Sequence, residues 1–165
     1  KNKLSTELYL LDLNTEMLKQ GKKKYSNQNN FRFVLGNAEK LTFKDNFFDK
    51  YLISFCLRNI TEYKLSITEA YRVLKPGGKY CCLEFSTAKS TLISNVYKMY
   101  KSNILPKLGE IVAKDKNAYK YLSESIDLFP DQEDLTSILT SCGFENVSCI
   151  NLFNGIVAIH IGYKT

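Results

Sequence analysis

The chain has no tryptophan, one histidine, two methionines and three prolines among its 165 residues. A lone histidine gives no basis for a histidine-ligated metal centre, and the five cysteines (Cys56, Cys81, Cys82, Cys142 and Cys149) contain no C-x-x-C pair. Cys81 and Cys82 are adjacent in a strand-like run, so their side chains are expected on opposite faces and unable to share an ion. No metal is therefore expected, and an odd number of thiols reads as unbridged residues in a reducing compartment. No apolar run approaches the length of a membrane span and no signal peptide opens the sequence, so a soluble or at most peripheral chain is expected. An arginine-rich stripe is also lacking, as is any recognition module, which argues against a nucleic acid as partner.

What is present is a folding composition, 44% hydrophobic and 13% aromatic, in a length suited to one domain, taken as 1–165. The formal net charge of +6 is carried mostly by lysine. Lys22, Lys23 and Lys24 form its densest cluster. They read either as attraction to an anionic membrane surface or, more plainly, as a solvated helix end.

The run Arg72 to Ser86, R-V-L-K-P-G-G-K-Y-C-C-L-E-F-S, is the most informative stretch. Leu65, Tyr71, Val73 and Leu74 fall on a helical period, which predicts a helix over 62–75 stopped by Pro76 and two glycines. The short apolar run over 79–85 predicts a buried strand that delivers Glu84 and Ser86 to a sheet edge. Elsewhere the pattern predicts strands over 8–12, 32–35 and 50–55, helices over 15–24 and 131–142, and a helical middle over 92–128. Asp131 follows Pro130 as an N-cap should, and Gly143 supplies a C-terminal stop. Predicted strands 146–152 and 156–163 flank Phe153-Asn154-Gly155, a hairpin signal that makes them antiparallel. Strands alternating with amphipathic helices point to an α/β, doubly wound, mostly parallel sheet, which binds ligands at the carboxyl ends of its strands.

The motifs D-L-N-T-E-M-L (12–18), G-N-A-E-K-L-T-F (36–43), L-R-N (57–59), R-V-L-K-P-G-G (72–78) and L-E-F-S (83–86) follow one another in order. They continue through I-L-P-K-L-G-E (104–110), Y-K-Y-L-S-E-S-I (119–126), F-P-D-Q-E (129–133) and G-I-V-A-I-H-I-G-Y-K (155–164). Over essentially its whole length the chain resembles the UbiE/Coq family of ubiquinone and menaquinone C-methyltransferases. V-L-G-N-A-E and G-I-V-A-I-H are more similar to its mitochondrial members than to its bacterial ones. The resemblance implies a Rossmann-like class I methyltransferase fold with an antiparallel C-terminal hairpin. It implies S-adenosyl-L-methionine as cofactor and methyl transfer to a ring carbon of a polyprenylated benzoquinol. It further implies a quinone-biosynthesis complex as partner and peripheral contact with a membrane. The location implied is the matrix face of the inner mitochondrial membrane in a eukaryote, or the cytoplasm in a bacterium. Two other readings stay open: a non-catalytic binding subunit of such a complex, and a methyltransferase acting on another small lipid or sterol.

Carried over residue by residue, the resemblance assigns Asp12 to the ribose hydroxyls, Asn37 and Ala38 to the adenine and Ser54 to a further cofactor contact. Asp12 could instead cap the following helix, a role open to Asn14 as well; Asn37 could be an ordinary polar turn, and Ser54 a buried serine bonded to a carbonyl. Arg58 and Asn59 are implied at the meeting point of methyl and acceptor. There a guanidinium can stabilise a phenolate-like oxygen, the alternative for Arg58 being a structural ion pair. Residues 89–128 are implied to be a helical insertion capping the acceptor, with Tyr97, Tyr100, Tyr119 and Tyr121 lining an aromatic pocket or packing in the core. His160, in an alternating run, is expected to be a hydrogen-bonded sheet residue rather than a catalytic one.

Three departures stand out. The family's Y-D-x-Y-S-F is Tyr97-Lys98-Met99-Tyr100-Lys101-Ser102 here, and Cys56 replaces the usual glycine before L-R-N. Only Lys1 to Glu7 precede the first strand, where the family carries its glycine-rich D-x-x-x-G-x-G strand and loop. The resemblance therefore implies a fragment whose central strand, between those ending at Asp12 and Ser54, is missing, with a compromised cofactor site. Unpaired strand edges invite association, so a homodimer is a further expectation.

Overall fold

The computed structural model describes residues 6–88 and 116–165. In chain order the elements are β1 (Leu8–Asp12), α1 (Thr15–Lys24), β2 (Phe31–Leu35), β3 (Phe48–Ser54), α2 (Tyr63–Val73) and β4 (Leu74–Phe85). Then come α3 (Lys116–Leu128), α4 (Gln132–Ser141), β5 (Glu145–Leu152) and β6 (Val157–Tyr163). Of the expected helical insertion over 89–128, only α3 lies within the described residues.

The strands form two sheets. β1 and β2 pair in parallel, and β3, β4, β6 and β5 follow one another in the second sheet. β3 is parallel to β4, while β6 runs antiparallel to both β4 and β5. Three strands of that sheet therefore point one way and β6 alone opposes them, as the hairpin signal predicts. The hairpin turns through Phe153–Gly155 with Asn154 at φ 57°. Among the described residues β1 pairs only with β2, and β3 only with β4. What joins the two sheets there is an aromatic cluster: the Tyr9 ring meets Phe43, Phe47 and Phe48 edge-on at 5.3–5.7 Å. Each such pair contributes about 0.5–1.5 kcal/mol beyond its burial.

Capping follows the sequence closely. Asn14 Oδ1 accepts from Glu16 N and Met17 N at the start of α1, and Asp131 Oδ1 accepts from Glu133 N and Asp134 N at the start of α4. Gly143 ends α4 at φ 100°, a left-handed angle that costs glycine nothing.

Two expectations need correction. The buried stripe of α2 is Ser66, Ile67, Ala70 and Val73, and Leu65 is 49% exposed. Ser66 occupies a core-facing position because Tyr51 is its hydrogen-bonding neighbour, so hydrophobicity alone misplaces the face. The helix also stops at Val73 rather than Lys75, because Leu74 already pairs with Phe48 of β3. Pro-Gly-Gly is thus a bulge inside β4, before Lys79 pairs with Lys50. Gly77 takes φ 77° there, and its N–H donates to Lys164 O at 2.6 Å.

The core lies between the second sheet and α2 with α4. Leu57, Ile67, Ala70, Leu74, Tyr80, Cys82, Leu135, Leu139 and Phe144 form one buried cluster. Cys82 is buried and Cys81 half-buried on the other face, as adjacency in a strand requires, and no cysteine is in a disulfide. Burial pushes the Tyr51 hydroxyl up to about 12. The Phe144 ring sits 5.1 Å from Tyr71 and 5.0 Å from Tyr80, both measured between centroids. Phe144→Ala is expected to cost about 3–5 kcal/mol, read as a lower urea midpoint with an unchanged slope.

His160 is 1% exposed, its Nε2 lies 3.0 Å from Gln132 O, and its Nδ1 has no partner. Burial lowers its pKa from 6.5. The unfolded chain thus binds a proton first on acidification, so stability is full above about pH 6.5 and declines as pH falls toward the folded value. Melting temperature is expected to fall in that window, before the lowered carboxylates Glu39 and Glu69 begin to titrate, and His160→Gln is expected to flatten the fall.

Candidate active site

The register of β1 on β2 sets the first corner. Asp12 lies opposite Leu35, and its carbonyl accepts Gly36 N at 3.1 Å, so Asn37 and Ala38 turn beside the Asp12 tip. Asn14, not Asp12, caps α1; Asp12 Oδ1 accepts the Asn14 N–H at 2.8 Å. Its Oδ2 has no hydrogen-bond partner among the described residues. Asn37 is largely committed to its own turn: Oδ1 accepts Glu39 N at 2.8 Å and Nδ2 donates to Glu39 Oε2 at 3.0 Å. Glu39 in turn accepts Glu62 N at 2.8 Å, and that bond, with the one from Asn37, holds its pKa low.

The second corner is the end of β3. Ser54 is exposed, which removes the alternative of a buried serine. Phe55 takes φ 49°, a left-handed angle unusual for an aromatic residue. It is held from both sides, its N–H donating to Leu83 O at 2.8 Å and its carbonyl accepting Arg58 Nη1 at 2.9 Å. Cys56, at φ −128°, carries no such strain, so the missing glycine is accommodated by Phe55. Burial, and then the negative charges of Asp12 and Glu84, raise the Cys56 thiol pKa against the opposing pull of Arg58. One thiol thus feels both strand tips, and it stays protonated and unreactive at neutral pH.

Leu57–Asn59 form a single 3-10 turn. Arg58 Nη1 meets Glu84 Oε1 at 2.8 Å in an ion pair whose side chains are only 9% and 2% exposed. The ion-pair alternative for Arg58 is therefore realised. It does not withdraw the residue from the site, because Arg58 also lines a cleft of about 300 Å³. Ile60, Tyr63, Leu128 and Phe129 give that cleft an apolar wall, and Thr61, Tyr121, Glu124 and Ser125 a polar one. Tyr121 OH donates to Asn59 Oδ1 at 3.1 Å, fastening α3 to the turn.

The structure thus brings Asp12, Asn37, Ala38, Ser54, Arg58 and Asn59 to one edge. Tyr97, Tyr100 and the side chain of Tyr119 lie outside the described residues. Sequence reasoning brought Glu84 to this corner and gave it no role, since nothing local signals a contact 26 residues away. Among the described residues no group of His, Cys, Asp and Glu is placed to hold a metal, and no helix is long and apolar enough to cross a membrane.

An α/β layer with a reversed last strand and a polar carboxyl edge fits the class I, S-adenosylmethionine-dependent methyltransferase fold. A SAM-dependent methyltransferase of Thermotoga maritima superimposes with a TM-score of 0.68 over 96% of this chain and 73% of its own, at 18% identity, which speaks for fold alone. The particular membership comes from sequence: the chain belongs to the ubiE/COQ5 methyltransferase family, whose pattern matches residues 2–164. The ubiquinone/menaquinone biosynthesis C-methyltransferase UbiE of Rickettsia bellii is 49% identical over 160 residues, 95% of this chain. The mitochondrial 2-methoxy-6-polyprenyl-1,4-benzoquinol methylase of Gallus gallus is 47% identical over 162 residues, 96% of this chain. The chain spans 64% of the first relative's length and 52% of the second's.

Proposed function

We propose that this protein transfers a methyl group from S-adenosyl-L-methionine to a ring carbon of a polyprenylated benzoquinol in quinone biosynthesis. Family membership and the names of its relatives support the reaction class. The observation that carries the residue assignment is the buried Arg58, held by Glu84, at a cleft with one apolar wall near the Asp12 strand tip.

The residues present suit the cofactor. Asp12 keeps one carboxylate oxygen for vicinal ribose hydroxyls, Asn37 and Ala38 flank the adenine, and Ser54 offers a hydroxyl. S-adenosylmethionine, when bound, supplies an electrophilic methyl group. Arg58 then acts on the acceptor: its fixed positive charge stabilises the ring oxygen as that oxygen gains phenolate character, which makes the adjacent carbon electron-rich. Asn59, fastened to Tyr121, orients the acceptor, and the apolar wall with Tyr97, Tyr100 and Tyr119 takes ring and isoprenoid tail.

The polyprenyl substrate brings the protein to a membrane surface peripherally, with the exposed Lys22, Lys23 and Lys24 as the basic contact. That surface is the matrix face of the inner mitochondrial membrane in a eukaryotic source, and the bacterial inner surface otherwise. Association within a quinone-biosynthesis complex, or as a homodimer, belongs to the same proposal. The test is methyl transfer from labelled S-adenosylmethionine to a short-chain benzoquinol by the protein at full length. Product labelled on a ring carbon upholds the reading; tight binding without turnover replaces it with the non-catalytic subunit.

A further inference from the structure

Arg58 is held at three points. Its Nη1 donates to Glu84 Oε1 at 2.8 Å and to Phe55 O at 2.9 Å, and its backbone N–H reaches Glu84 Oε2 at 3.4 Å. Its Nε, in a side chain only 9% exposed, has no partner. The guanidinium carbon lies 5.3 Å from the centre of the Phe85 ring, so one face is covered as well. Glu84 Oε1 also accepts Phe85 N at 2.9 Å, which ties the carboxylate to the backbone of β4. Arg58 lines the cleft although its Nε is closed to solvent. Glu84 itself does not line that cleft.

We propose that Glu84 is the positioning residue of the site, fixing the Arg58 guanidinium beside the cleft so that its charge faces the acceptor's ring oxygen. The proposal rests on the reading of Arg58 given above and adds a second residue to it. With both carboxylate oxygens engaged by N–H groups, Glu84 acts only through Arg58. Its removal therefore cannot add to the loss caused by removing Arg58.

The experiment is a double-mutant cycle in the protein at full length with Arg58→Ala, Glu84→Gln and the pair. The glutamine variant keeps an oxygen for Arg58 Nη1 and Phe85 N, which guards against misfolding, and circular dichroism checks each variant. Glu84→Gln is expected to lower kcat about tenfold with little change in KM for S-adenosylmethionine, and the double variant to match Arg58→Ala. Added guanidinium ion is expected to restore part of the turnover of Arg58→Ala and none of the double variant's. A readout without turnover is the ionisation of a geranyl-substituted 4-nitrophenol in the cleft. Wild type is expected to lower its pKa by about one unit, Arg58→Ala to abolish the shift and Glu84→Gln to leave part of it. Multiplicative losses, rescue that ignores residue 84, an unshifted probe in the wild type or wild-type kinetics in Glu84→Gln overturns the proposal. Normal turnover in Arg58→Ala removes the underlying reading of Arg58, and is thereby distinguished from a failure of Glu84 alone.

Discussion

Arg58→Ala is expected to slow methyl transfer about 100- to 1000-fold while changing S-adenosylmethionine affinity by no more than about twofold. The magnitude follows from the work assigned to the guanidinium. A preorganised donor aimed at developing negative charge costs about 2.7–4 kcal/mol of transition-state stabilisation when removed. Here the donor is nine-tenths buried and fixed by Glu84 and Phe55 O, which limits the reorganisation the proposed role would need. Binding is spared because the adenosine contacts are assigned to Asp12, Asn37 and Ala38, on the other sheet. Single-turnover kinetics beside calorimetric titration separate the two quantities. A variant that loses affinity and rate together contradicts the division of labour, and Arg58→Lys is expected to recover little because a lysine cannot reproduce the planar fork.

Asp12→Ala is expected to do the reverse, weakening the cofactor about 10- to 150-fold, the range for losing hydrogen bonds to a charged group. It also removes the acceptor of the Asn14 N–H, 2.8 Å away, but α1 keeps its cap because Asn14 Oδ1 still bonds Glu16 N and Met17 N. Asp12→Asn separates charge from shape and is expected to fall between. Turnover at saturating cofactor is expected to return to within about threefold of wild type in both. Loss at saturation places Asp12 in the acceptor's site instead.

Local signals were legible from the sequence and non-local ones were not. Asn14 and Asp131 as caps, Gly143 as a stop and the Asn154-Gly155 hairpin each depend on a few neighbouring residues, and each was readable. The face of α2 was misread because Ser66 takes a buried position beside Tyr51 that an apolar period assigns to Leu65. The Pro-Gly-Gly bulge was misread because it forms only when Leu74 finds Phe48 across the sheet. In the candidate site the strand-tip residues were legible by motif. The partner of Arg58 was not, since the carboxylate that holds it arrives from the next strand, and no one-dimensional pattern links the two.

The most direct test is a crystal structure of the protein at full length with S-adenosylhomocysteine and a short-chain benzoquinol analogue. The ribose is expected on the Asp12 carboxylate, and the analogue in the cleft with an oxygen facing the Arg58 guanidinium. A nucleoside bound away from Asp12, or a ring lodged outside the cleft of Arg58, Tyr63, Tyr121 and Phe129, contradicts the account.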